Sequence, residues 1–157
     1  LLFTVGGFAV IDSANVYLDR MEYFTIASTG DGTDAGNLVD GRSNIGIGSD
    51  GLSRYIVAGG KNSSWASHDV IQYNDFSTSA NTSDFGDLSL ARSEAGGVSD
   101  GTNGDFIGGN VSGSVGASSN IIDTMTIAST GNATDVADLL EGSSDGRAST
   151  VSPLSGT

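Results

Sequence analysis

The chain has 157 residues, with 24 glycines, one proline and no cysteine, and only 16% of its residues are charged. Aspartate and glutamate total 19 against six lysines and arginines, a formal charge of −13. The lack of cysteine excludes a disulfide framework and thiolate metal sites, and the acidic balance argues against nucleic acid or an anionic membrane as partner, since both recruit lysine and arginine.

No apolar run approaches the roughly 20 residues of a membrane helix, and helix formers never cluster at helical spacing. Glycine mixed with serine, threonine, asparagine and aspartate instead predicts many short strands joined by polar turns. In chain order, the first strand is Leu2-Phe3-Thr4-Val5, ending in the doublet Gly6-Gly7. Residues up to 20, including Tyr17, read as a loop, and a strand follows through Tyr23-Phe24-Thr25-Ile26. Beyond Arg42 and the glycines around Ile47 comes the apolar strand Tyr55-Ile56-Val57-Ala58. A loop holding Trp65 and His68 leads into Val70-Ile71-Gln72-Tyr73, and a short strand is expected near Phe85 to Leu90. Ser93 to Ser99, Asp105 to Ile107 and Ile121 to Ala128 complete the series. No charged leader precedes the first strand, so the chain is expected to be a piece or a processed form of something longer.

Laid on itself, the chain repeats. Thr25-Ile26-Ala27-Ser28-Thr29-Gly30 recurs letter for letter at Thr126 to Gly131, and Tyr73 to Ala80 is a degenerate middle copy. Downstream, Asp34, Asp84 and Asp135 correspond, then Leu38, Leu88 and Leu139. Arg42-Ser43 matches Arg92-Ser93, Ser49-Asp50-Gly51 matches Ser99-Asp100-Gly101, and Val57-Ala58-Gly59 matches Ile107-Gly108-Gly109. The period is about 50 residues, a length typical of propeller blades. The expected division is residues 1–20 as a strand completing a blade plus a loop, then copies at 21–69, 70–119 and a partial one at 120–157. In this reading the opening strand fills the place left empty in the last copy, or in a neighbouring subunit. One blade cannot bury both faces of its sheet, and propellers close with about four to eight blades. Three copies therefore predict assembly with further protein subunits, as a homo-oligomer or within a larger particle.

Few residues point to chemistry. His68 stands in Ser67-His68-Asp69, but neighbours on an extended chain face opposite ways and cannot bond in series as a catalytic triad does. No enzyme motif is present, and no activity or cofactor is expected. Calcium is the one metal the sequence suggests: Asp100, Asn103 and Asp105 gather oxygen atoms on a glycine turn, without matching the twelve-residue calcium loop. Arg42, Arg92 and Arg147 recur once per copy. They are expected either to bond blade carbonyls and pair with recurring aspartates, or to ring a channel that binds an anion. Trp65 and Tyr17 are candidates for stacking on sugars or on a partner protein.

The glycine doublet after an apolar strand, then a tyrosine-containing strand, then an apolar residue before the next arginine, resembles the kelch repeat over essentially the whole chain. Thr126 to Asp135 with Asp138-Leu139, and Asp84 to Arg92 in the second copy, resemble more narrowly a degenerate kelch-like repeat of structural and tail-associated proteins of marine bacteriophages. Trp65 stands outside the tryptophan position of cellular kelch repeats, and Pro153 falls where a strand is expected. The resemblance implies an all-β, propeller-like, non-enzymatic module of a virion or extracellular assembly, acting in assembly or host-surface attachment. A cellular filament or surface-layer module and a lectin-like, glycan-binding propeller are the alternatives.

Overall fold

A computed structural model describes residues 2–12, 14–28, 30–111 and 117–144. Thirteen strands and no helix make up these residues. The first sheet holds β1 (Leu2–Ile11), β2 (Ala14–Phe24) and β3 (Thr33–Asn37) in chain order. The second is a four-stranded meander of β4 (Gly46–Ser49), β5 (Arg54–Ala58), β6 (Val70–Asp75) and β7 (Ser83–Asp87). After the two-residue β8 (Arg92–Ser93), a third sheet is built from β9 (Gly96–Ser99), β10 (Asn103–Ile107), β12 (Ser119–Thr126) and β13 (Thr134–Ser143). β11 (Asn110–Val111) pairs with β8 as a separate two-stranded ladder. All pairings are antiparallel, and each sheet is open rather than closed on itself.

The sheets pack face to face through two apolar layers. Met21, Ala35 and Leu38 of the first sheet and its outgoing loop meet Tyr55 and Val57 of the second, with Phe3, Tyr23 and Phe76 closing the layer. The rings of Phe3, Tyr55 and Phe76 lie 5.0–5.4 Å apart, centroid to centroid. Ile56, Ala58, Ile71 and Phe85 of the second sheet meet Phe106, Met125 and Ile127 of the third. Side chains alternate between the faces of a strand, so β5 sends Tyr55 and Val57 to one layer and Ile56 and Ala58 to the other. The second sheet is thus the middle one, covered on both faces.

Backbone contacts recur with the sequence. Arg42 N–H bonds Leu18 O, and Arg92 N–H bonds His68 O. Leu38 N–H bonds Asp19 O, and Leu88 N–H bonds Asp69 O. Three glycine doublets take the same left-handed backbone, at φ 60° and 130° for Gly6-Gly7, 65° and 100° for Gly59-Gly60, and 63° and 105° for Gly108-Gly109. Only glycine adopts two such angles in succession cheaply. The second N–H of each doublet bonds the carbonyl of Arg42, Arg92 or Ser143 in turn. Leu38, Leu88 and Leu139 each pack over the first glycine of their doublet, 3.3–3.5 Å from the place a β-carbon would take.

Three expectations are corrected. β1 does not complete the last sheet: it pairs with β2 over most of its length, from Leu2↔Phe24 to Ile11↔Ala14. The reason is local, since only two residues separate the strands and Asp12 takes the positive φ (51°) of a tight hairpin. The stretch up to residue 20, read as loop, is therefore mostly strand, and Tyr17 lies within β2. The strand register around Gly59 is also shifted by one: Ala58, not Val57, corresponds to Ile107. The turn from Asp50 closes on Arg54, whereas that from Asp100 closes one residue sooner, on Asn103.

Candidate functional site

Arg42 and Arg92 lie between sheets. Arg92 leaves β8 with none of its surface exposed, and its Nη2 donates to Asp123 Oδ2 at 2.8 Å and to Phe106 O at 3.1 Å. Asp123 on β12 is equally enclosed and also accepts the N–H of Ser89. Burial pulls the Arg92 guanidinium below its ordinary value, and the Asp123 carboxylate opposes that shift. Arg42 is buried in the same position one copy earlier. Its Nε donates to Asp40 Oδ1 at 2.6 Å, and its Nη1 reaches Gly59 O and Val70 O at 3.3 Å. Arg42 is bound by a carboxylate and carbonyls of this chain, and Arg92 is bound in the same way at Nη2 alone, its Nε and Nη1 being buried with no hydrogen-bond partner among the described residues. Their bonded acid partners are Asp40 and Asp123; of the recurring aspartates, Asp135 acts on Arg92 through its charge without a bond. Arg147 lies outside the described residues.

Two of the calcium candidates are engaged in hydrogen bonds at and beside their turn. Asp100 Oδ1 accepts the N–H groups of Thr102 and Asn103. The bond from Asn103, then that from Thr102, holds the carboxyl below the usual carboxylate range. Asn103 Oδ1 takes the Thr126 hydroxyl, and Asp105 pairs with Thr124 across β10 and β12. Among the described residues, no three histidine, cysteine, aspartate or glutamate side chains come together as a metal group. Asp50 caps the equivalent turn. Burial there raises its carboxyl, but the hydroxyl of Ser53 and the N–H groups of Arg54, Leu52 and Ser53 outweigh it, and the group sits well below the usual range.

Trp65 is 68% exposed on the loop between β5 and β6, at φ 61°. Tyr17 stacks edge-on against Phe8 across the β1–β2 hairpin, 5.3 Å between centroids. Trp65 has no ring partner among the described residues, so the two aromatics do not form one platform. His68 turns its Nδ1 toward Asp40, at 4.0 Å, rather than toward its neighbours Ser67 and Asp69.

Sequence reading missed the side chains that join one sheet to the next. Arg54 lies over the Tyr73 ring at 4.4 Å, pairs with Asp75 and donates to the carbonyls of Ile127 and Ala128. Gln72 and Asp123, one copy apart, each accept a backbone N–H from the preceding sheet's outgoing loop, that of Val39 and Ser89 respectively. Asn81 and Asn132 likewise accept the N–H of Asn37 and Asp87. Gln72 and Asp123 differ too much in residue type to be matched without register, whereas Asn81 and Asn132 are identical and only the fold shows what they bond.

These features define an all-β protein of stacked antiparallel sheets in which the polar residues singled out by sequence act mainly between sheets. The chain matches no family model and no curated protein.

Proposed function

We propose that the chain is a non-enzymatic structural module whose sheets are kelch-like blades, used in the assembly of a virion or extracellular particle or in its attachment to a host surface. The observation that supports this reading is the recurrence, copy by copy, of the same glycine doublet, capping leucine and inter-sheet acceptor. Such economy belongs to repeat architectures, where each unit contacts its neighbours and stability accrues along the stack. The arginines and turn aspartates are engaged in holding sheets and turns, which favours a scaffold over a reaction centre. The phage setting rests on the resemblance carried by Asp84 to Arg92 and by Thr126 to Asp135 with Asp138-Leu139. Immunogold labelling and mass spectrometry of purified particles test it: the chain is expected at the particle surface or in secreted material. Recovery only from the cell interior overturns the reading.

The exposure of Trp65 favours one second reading, a glycan-binding module. Binding on a glycan array that is lost in Trp65→Ala would select it over a pure scaffold.

A further inference from the structure

The two outer faces of the stack correspond, position by position, to the faces that meet inside it. Register makes the correspondence. The cross-strand pairs Leu2↔Phe24, Tyr55↔Asn74 and Gly104↔Met125 are equivalent, as are Val5↔Met21, Ala58↔Ile71 and Ile107↔Ile122. On the face that each sheet turns toward its successor, the first sheet offers Met21, Ala35 and Leu38, and the middle sheet offers Ile71, Phe85 and Leu88. All six are buried. The last sheet carries Ile122, Val136 and Leu139 in these places, and there Val136 is 56% exposed. Toward its predecessor, the middle sheet offers Tyr55, Val57 and Phe76, and the last offers Phe106, Met125 and Ile127. The first sheet carries Leu2, Thr4, Phe24 and Ile26 on that side, with Ile26 73% exposed. The polar latch follows the same rule. Gln72 and Asp123 accept N–H groups of Val39 and Ser89; the residue in the acceptor place of the first sheet is Glu22, and the one in the donor place of the last is Leu140.

We propose that the outer face of β10, β12 and β13 docks on the outer face of β1 and β2 of a second copy of this chain, head to tail. The proposal rests on the blade reading but not on any virion or host setting. Each interface is heterologous, so contacts continue into a ring or a filament. Two details set its strength. Gly36 and Gly86 let a loop carbonyl of the next sheet approach closely, whereas Ala137 holds that place in the last sheet, so the contact between copies is looser than those within one. Both faces also carry carboxylates, Glu22 and Asp34 on one and Asp105 and Asp138 on the other, so association strengthens as salt screens them.

Sedimentation velocity on the full chain, from micromolar to millimolar concentration and at low and high salt, is the test. The expected result is a mass that grows with concentration, more steeply at high salt. Val136→Asp and Ile26→Asp change exposed side chains on opposite faces, and an unchanged circular dichroism spectrum and melting temperature confirm that each still folds. Each variant alone is expected to stay monomeric, while a mixture forms one-to-one pairs and nothing larger, because one intact face remains on each. Wild-type chain that is monomeric throughout, variants that still assemble, or variants that do not pair when mixed would each overturn the proposal. None of these outcomes bears on whether the chain belongs to a particle, which the labelling experiment reads separately.

Discussion

Arg92 has no contact with solvent: its Nη2 is held by one carboxylate and one carbonyl, while its Nε and Nη1 are buried without a hydrogen-bond partner among the described residues. Desolvating two charges costs several kcal/mol per ion, and their attraction offsets this only while both are present. Arg92→Met is therefore expected to destabilise the fold by about 3–5 kcal/mol, since Asp123 is left buried and unpaired. The double variant Arg92→Met/Asp123→Leu should lose clearly less than the two single losses combined. Urea unfolding of the four proteins measures this cycle. A single-variant loss below about 1 kcal/mol, the range of an exposed pair, would mean that the pair is solvated in solution. Arg42 is the milder case, because Asp40 is partly exposed and two carbonyls share the guanidinium.

At the level of elements, the glycine doublets set where strands end and how near the next segment comes. Gly59 has φ 65°, and a β-carbon there would run into the carbonyl oxygen of Arg92. Gly51 has φ 74° but open space around it. The left-handed backbone costs a side chain about 1–2 kcal/mol by itself. Gly51→Ala should lose about that much, and Gly59→Ala clearly more, as read from thermal or urea unfolding. Equal losses would show that the close approach at Gly59 relaxes without cost. The doublets were legible in the sequence because their spacing repeats, and so were the apolar strands that precede them. The β1–β2 hairpin was not: its connection begins at Asp12 and lacks the Asn-Gly or Gly-Gly that announces a tight turn, and the apolar run Val16-Tyr17-Leu18 between Asn15 and Asp19 lacks the strict alternation of a half-buried strand. Arg42 and Arg92 were legible as repeated residues, and both are buried between sheets. Their partners were not, because Asp40 and Asp123 sit at unequal places in their copies and only the fold brings them to the guanidinium groups. Asp50 and Asp100 each cap their own turn, as a short acidic residue beside glycine does.

Over the whole molecule, burial is unequal in a way that follows from stacking order. The middle sheet contributes to both apolar layers, whereas the first and last sheets contribute to one each. In a stack of repeats, stability is a sum of unit terms and nearest-neighbour terms, so the unit with two neighbours opens last. Amide exchange at low protein concentration should then be slowest in β5 and β6, whose residues Tyr55 to Ala58 and Ile71 to Gln72 are almost wholly enclosed, and faster in β1, β2 and β13. Opening of an end sheet loses one layer, while opening of the middle sheet loses both and approaches global unfolding. If β1 and β2 proved as protected as β5 under these conditions, the layers would be melting as one unit, and the stepwise picture of a stack with two weaker ends would fail.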